Sequence, residues 1–362
     1  MVLSVFDKMK IQKIISSDKK SDIPEKYCEG IFQLMQKKER ENHTFDPPQL
    51  DYFRKQWKIS DLSWQKTIRF AGIDETDNVQ AYAWLGFNIK YDNLDQAWFL
   101  VYLNDNEDKM TNRIIMLKEM VKSVPVQITK ISTAFMNDSE GAEFYLSADI
   151  EPSYEEILFD LNLETKDLAE VSKQAKKLNE KALKSGYEII FVEGLDYNNY
   201  VDYSSFVDLV ECVRNDMPRE ELSIEDTKLN LERFNELCLI NQKKWDTFYT
   251  FIAIHKDTGK PVGLTTSVLD NYQPHVAWQW DTGVLPEHRG NGLGLAMKYQ
   301  MLETLLSTTK AKVWSTGSSS VNIHMHRINR ALGYENWGSE KIVDFTKTEL
   351  EHFLEKYNTD TH

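Results

Sequence analysis

The sequence predicts an α/β protein, a mixed sheet covered by helices, repeated as two tandem copies of one unit. Three observations carry this. The same order of strand-like and helix-like segments runs along residues 1–165 and again along residues 188–362. In each run an antiparallel meander precedes a single strand–helix–strand crossover, and that combination makes the sheet mixed. The chain of 362 residues also exceeds what one core serves, since chains beyond about 250–300 residues divide into domains.

In the first copy KMKIQKIIS predicts a strand, and EKYCEGIFQLMQKKEREN and QLDYFRKQW predict helices. Strands follow at TIRFAGIDE, VQAYAWLGFNI and AWFLVYLN, separated by the turn-forming stretches DETDN and KYDNLD. The helix TNRIIMLKEMVKSV, the strand VQITKISTAF, a short helix from Asp138 and the strand YEEILFDLNL complete it. Residues 166–187 come next, where the lysines and glutamates of KDLAEVSKQAKKLNEKALKSG suit an exposed connecting helix ending at Gly186.

The second copy opens with the strand YEIIFVEGL and the helices VDYSSFVDLVECVRND and IEDTKLNLERFNELCLINQ. The strands TFYTFIAIHK and PVGLTTSVL are joined by the turn DTGK and followed by HVAWQWDTGV. A glycine-rich stretch then opens the helix GLGLAMKYQMLETLLSTT, and AKVWST, VNIHMHRINRAL and EKIVDFTK read as strand, helix and last strand.

Composition narrows the function. A net charge of −14 and a pI near 5.1 argue against nucleic acid or an anionic membrane as partner. No apolar run approaches the about 20 residues that span a bilayer, and MVLSVFDKMK reaches a lysine too soon for a secretory signal. Cys28, Cys212 and Cys238 are odd in number and far apart, which suits reduced thiols in a cytoplasm. Metal-ligand spacing is absent; the pair His324 and His326 has no evident third ligand. The lysine- and asparagine-rich composition is compatible with a low-GC bacterium.

The stretch EHRGNGLGLAMK, residues 287–298, concentrates three of the chain's 15 glycines after Arg289, at Gly290, Gly292 and Gly294. A strand running through such a turn into a helix is an anion site. The first helical N–H groups lack internal partners, the macrodipole is positive there, and glycine admits a phosphate close to the backbone. Spacing excludes two phosphate loops. The glycines run into Leu-Ala-Met rather than Lys-Ser/Thr, and they lie mid-domain rather than after an early strand.

What remains is Arg-x-x-Gly-x-Gly at Arg289, Gly292 and Gly294, preceded by Val284-Leu285-Pro286-Glu287-His288. With Asn322 and Leu332-Gly333-Tyr334 further on, this resembles the GNAT-type N-acetyltransferase family over roughly residues 188–345. The first half matches in element order alone, so the whole chain resembles a tandem acetyltransferase of mycothiol-synthase-like architecture, its first copy degenerate. The resemblance implies acetyl-CoA as co-substrate and no metal. The pyrophosphate would sit on the amides of Arg289, Gly290, Asn291, Gly292, Leu293 and Gly294, with Asn322 also on the cofactor side. The pantetheine would pair between two splayed strands, and an N–H around Thr282, Gly283 and Val284 would polarise the acetyl carbonyl. A primary amine of a small-molecule or peptide-like acceptor would attack directly, with one group taking its proton and another protonating the CoA thiolate.

The family's usual tyrosine, seven residues after the helix asparagine, is here Asn329; Asn329 and Tyr334 are the candidates on the acid side, with His324 and His326 behind them. For the base, Asp281 stands in a central strand, where an unpaired charge is costly. Alternation there puts Gln279 and Asp281 on one face and Trp278, Trp280 and Thr282 on the other. The plainer reading of Asp281 is a carboxylate tied to backbone amides that shapes the strand. In the first copy AWFLVYLN runs into DNEDKMTNRI, with no glycine and three acids where a pyrophosphate would go. That copy is expected not to bind CoA. The alternative class is a non-catalytic acyl-CoA-binding or partner-binding protein on the same scaffold. A narrower enzymatic variant is an aminoacyl or longer-acyl transferase.

Overall fold

A computed structural model describes residues 9–15, 25–42, 49–57, 62–106, 108–137 and 139–358. The N-terminal segment read above for a secretory signal, Glu107, and Asp138 as a helix start lie outside them. The chain divides into two compact units.

The N-terminal unit comprises residues 1–154, 221–225 and 340–362. Its sheet contains β1 (Met9–Ile15), β2 (Gln65–Asp74), β3 (Val79–Asn88), β4 (Gln96–Leu103) and β5 (Lys130–Met136), paired in that order. All pairs are antiparallel except β4 with β5. One face carries α1 (Glu25–Asn42) and α2 (Leu50–Trp57), which bury Tyr27, Ile31 and Phe53 on Ala71, Ile73 and Tyr82. The other carries α3 (Lys109–Lys122) and α4 (Glu140–Leu146), with Met116, Leu117 and Phe144 against Phe70, Leu85 and Phe99.

The C-terminal unit comprises residues 155–220 and 226–339. It repeats the plan with β7 (Tyr187–Glu193), β8 (Thr247–His255), β9 (Lys260–Leu269), β10 (Val276–Val284) and β11 (Val313–Ser319). Here β10 with β11 is the parallel pair. The helices α6 (Tyr203–Asn215) and α7 (Leu231–Lys244) cover one face, and α8 (Leu293–Thr308) and α9 (Ile323–Leu332) the other. With helices on both faces, β9 is buried along nearly its whole length, and for that reason its sequence reads as an unbroken apolar and hydroxyl run.

Three expectations are corrected. First, the domain bounds 1–165 and 188–362 give way to an exchange of strands. YEEILFDLNL is β6 (Tyr154–Asn162), which pairs antiparallel with β11 and so completes the C-terminal sheet. The C-terminal part of β12 (Glu335–Thr346) pairs antiparallel with β5 and completes the N-terminal one. Each unit therefore takes its sixth strand from the other half of the chain, and α10 (Lys347–Glu355) follows β12 into the N-terminal core through Leu350, Phe353 and Leu354.

Second, residues 166–187 are not a free connector. The helix α5 (Leu168–Lys184) packs on α8 and β7 and buries Val171, Ala175 and Ala182. Third, residues 224–229 are not helical; α7 begins after Asn230, whose side chain accepts the Arg233 N–H. Among the described residues no helix is long and apolar enough to cross a membrane.

Candidate active site

The site is built around a flaw in β10. Its register with β9 jumps from Gln279 opposite Ser267 to Thr282 opposite Thr265, so one extra residue is accommodated on β10. Buried Gln279 holds this bulge. Its Nε2 lies 2.7 Å from the Thr266 carbonyl, 3.0 Å from that of Trp280 and 3.0 Å from the Thr282 hydroxyl. The bulge breaks the expected alternation. Trp280 and Asp281 face one recess together, while Thr282 turns to Gln279 and Thr265.

Beyond the bulge β10 parts from β11, since their parallel pairing covers only Val276–Trp278 against Val313–Ser315. Leu285 N–H donates to the Val262 carbonyl at 2.9 Å. By strand alternation the N–H groups of Thr282 and Val284 then point away from β9, into the opening beside β11. Gly283 has a separate reason to be glycine, because a Cβ there would come within 2.5 Å of Val213 on α6.

At the end of β10 the loop to α8 is braced from several sides. Arg289 Nε donates to the Val284 carbonyl at 2.9 Å, and its guanidinium pairs with Asp216 at the C-cap of α6. Asn291 Nδ2 donates to the His288 carbonyl at 3.0 Å and to the Tyr187 hydroxyl at 3.2 Å. That hydroxyl also meets His288 Nδ1 at 3.0 Å. Gly290 and Gly292 take φ values of +82° and +76°, and an added Cβ would touch nothing within 4 Å at either. The left-handed backbone is what requires glycine there.

Gly292 is the N-cap of α8, and Ala296 is the first residue of that helix to donate back, to the Gly292 carbonyl at 3.0 Å. Among the described residues, the amides of 290–295 donate to no protein acceptor. They form a positive, accessible rim at a helix N-terminus, suited to a diphosphate. Arg289, by contrast, already has a carboxylate partner.

Asp281 pairs with Arg214 Nε on α6 at 3.0 Å, not with backbone amides. The recess it lines, with Tyr197, Phe234, Cys238, Phe248 and Trp280, is closed largely by apolar rings. Burial pushes the Cys238 thiol up to about 11 and the Tyr197 phenol higher still, so both are neutral near pH 7. Asp281 and Arg214 are therefore the charged pair of this recess.

The other candidates lie elsewhere. Asn322 caps α9, its Oδ1 accepting the Met325 N–H at 3.2 Å. The Asn329 side chain points into the α8–α9 packing, where its Oδ1 accepts from Lys298 Nζ at 2.9 Å. Tyr334 packs on Trp314 with ring centroids 5.5 Å apart, and its hydroxyl is enclosed without an acceptor among the described residues. Burial, with Asp160 nearby, holds that phenol well above its usual range. Asn329 and Tyr334 are thus held in packing rather than presented to the opening. His324 is exposed and His326 packs on Phe159. Among the described residues no group of side chains is arranged to hold a metal ion.

Sequence reasoning missed Arg214, Asp216, Gln279 as the bulge clamp, and Lys298. A lysine on an otherwise apolar helix face was the visible sign of the last. In the N-terminal unit β4 and β5 also separate after Gln96–Trp98, but the loop into α3 has no glycine. Its Asp105 is engaged by Lys37 at 3.0 Å and Lys109 at 3.3 Å.

Residues 215–334 match the model of the acetyltransferase (GNAT) family. No curated protein matches the chain in sequence. Among solved structures, the chain is similar to a tandem GNAT protein from the clavulanic acid biosynthesis pathway, with a TM-score of 0.68 and 14% identity, covering 93% of this chain and 99% of that one. It is similar to a GCN5-related N-acetyltransferase from Sphaerobacter thermophilus, with a TM-score of 0.60 and 12% identity over 94% and 96% of the two chains. A glucosamine N-acetyltransferase region of a fungal multi-domain β-N-acetylglucosaminidase gives 0.62 and 11% over 93% and 38%. At these identities the likeness is one of fold, and the fold is that of the tandem GNAT proteins.

Proposed function

Taking as premise that residues 215–334 form a domain of the acetyltransferase (GNAT) family within a tandem GNAT fold, we propose that the C-terminal unit is an acetyl-CoA-dependent N-acetyltransferase. Its acceptor is a primary amine on a small-molecule or peptide-like compound. The observation that carries this is the rim of amides at 290–295, opened by left-handed Gly290 and Gly292 beside the point where β10 and β11 part.

The proposed steps use the chain's own groups. The amides of Gly290 to Gly294 receive the diphosphate of the co-substrate, whereas the Arg289 amide, expected to join them, already donates to the Pro286 carbonyl at 3.2 Å. The inward N–H groups of Thr282 and Val284 stabilise the negative charge that develops on the thioester oxygen as the amine adds. Asp281, fixed by Arg214, holds the incoming ammonium and takes one proton from it, which frees the nitrogen lone pair that forms the C–N bond. Collapse breaks the C–S bond; the thiolate leaves and takes up the second proton that the nitrogen loses, giving amide, CoA as the thiol and, from Asp281, one released proton per ammonium consumed. Chemistry of this kind, with no membrane or nucleic-acid partner, suits a cytoplasmic protein.

A second reading has its own support. Asn329 is bound to Lys298 and Tyr334 is enclosed, so neither is offered to the thiolate, as in a protein that binds acyl-CoA without turning it over. Calorimetric titration with acetyl-CoA, beside Gly292→Glu, tests both together with turnover on a panel of amines. The enzyme reading expects one site per chain, lost in the variant, with amide formed from at least one amine class. Binding without turnover selects the second reading, and no binding refutes both.

A further inference from the structure

We propose that the N-terminal unit binds a small ligand carrying an amide and a carboxylate, of the N-acyl amino acid class, in the cleft between β4 and β5. The cleft is built by the sheet. β4 and β5 pair over three residues, Gln96–Trp98 against Lys130–Ser132, and then separate. Their outer edges are taken, β4 by β3 and β5 by β12. The inner edges of 100–103 and 133–136 face a cavity of about 110 Å³, where a single water needs about 10–15 Å³. At its apex the Thr133 hydroxyl donates to the Phe99 carbonyl at 2.9 Å. Main-chain donors and acceptors on parted strands are matched by an amide lying between them.

The side chains add charge. Lys37, Lys109 and Arg113 line the cavity, with Glu140 as the lining carboxylate. Lys37 and Lys109 share Asp105, and Lys109 also pairs with Glu140. Arg113 is the least compensated. It is 7% exposed; among the described residues its nearest carboxylate oxygen, on Glu140, is 3.9 Å away, and its one hydrogen bond runs to the Glu140 carbonyl at 3.4 Å. Its guanidinium carbon also lies 4.9 Å from the centroid of the Phe144 ring. A guanidinium offers five donors, and a buried cation so loosely paired is costly. A carboxylate entering the cavity would supply the missing acceptors, two-pronged as arginine favours. An amine would meet three cations. A CoA diphosphate would meet Asp105 and Asp108 and no glycine turn.

The test is calorimetric titration of the full chain with N-acetylglycine and with its methyl ester, each variant first checked for an unchanged melting curve. The acid should bind once per chain, and the ester about tenfold or more weaker. Arg113→Gln should weaken the acid by a similar factor, and Arg113→Lys should retain part of it. Glu140→Gln, which removes the competing carboxylate, should tighten it. Gly292→Glu, in the other unit, should change nothing. The proposal is overturned if acid and ester bind alike, if binding survives Arg113→Gln, or if Gly292→Glu abolishes it. Absence of binding at about 10 mM ligand, weaker than millimolar affinity allows, overturns it too. Should Arg113→Gln fail to fold, Glu140→Gln and the ester decide the matter.

Discussion

Lys298 Nζ donates to Asn329 Oδ1 at 2.9 Å in a place closed to solvent, between the rings of Trp314 and Tyr334 at 5.2 and 5.0 Å. One amide oxygen and two ring faces are what this ammonium has in place of water. Burial alone lowers its pKa from 10.5 to about 7.

The consequence is a pH dependence of stability. Between about pH 7 and 10.5 the unfolded chain binds a proton at Lys298 that the folded chain does not. The contribution of this residue to stability therefore rises with pH across that window and is least favourable below it. Lys298→Met paired with Asn329→Leu should be neutral to stabilising by about 1–4 kcal/mol at pH 6, and should flatten the slope above pH 7. Asn329→Leu alone, which strips the lysine of its acceptor, should cost about 3 kcal/mol or more at pH 6. Urea denaturation at pH 6 and pH 9.5 measures both, and a slope unchanged in the double variant would remove Lys298 as its source.

Gly283 and Val213 make a second, simpler case. A methyl group on Gly283 would lie 2.5 and 2.6 Å from the two methyls of Val213. Gly283→Ala should thus cost about 1–3 kcal/mol, seen as a lower melting temperature. Val213→Ala in the same chain should recover much of that loss. Additive losses instead would mean that α6 does not press on β10 at this point.

Much of this was legible in advance because local pattern decides it. The β10 strand, the glycine turn and the α8 pattern follow from residues adjacent in sequence, and so does the repeat of elements. Strand partnership is different. Both β6 and the C-terminal part of β12 are short mixtures of acidic and apolar residues, and nothing within either segment says which sheet it will join. The exchange is a tertiary choice. α10 was missed although Thr346 and Glu349 form a capping box, a signal readable from Thr-x-x-Glu. The bulge escaped notice because alternation assumes an unbroken ladder, and Gln279 shows its purpose only once four oxygens surround its amide. The sequence placed Asp281 correctly on a central strand, but its partner Arg214 comes from a helix 67 residues earlier.

The pairing of Arg289 with Asp216 competes with any anion brought to the loop. Both side chains are about half exposed, so the pair is weak and salt-screened. Asp216→Asn should tighten acetyl-CoA binding by about two- to fivefold at low ionic strength, and the gain should fade near 1 M salt, where the screening length is about 3 Å. If the variant instead weakens binding at both ionic strengths, Asp216 serves by holding the loop in shape rather than by occupying its arginine.

The pair Asp281 and Arg214 separates chemistry from binding. If the carboxylate takes the amine proton, Asp281→Asn should lower kcat by about 10²–10⁴ and leave the calorimetric affinity for acetyl-CoA intact, because the amide rim belongs to the loop and helix start at 290–295, while Asp281 faces the recess against α6. Arg214→Met should lower kcat less and raise KM for the amine, since the carboxylate remains but is no longer fixed. The pH profile distinguishes a base from a brace. Loss of the acidic limb of kcat/KM in Asp281→Asn marks proton transfer at that residue, whereas a uniform drop that preserves the limb marks positioning. An Asp281→Asn chain with undiminished turnover would leave Asp281 and Arg214 as a structural pair joining β10 to α6, with the amine deprotonated before it arrives.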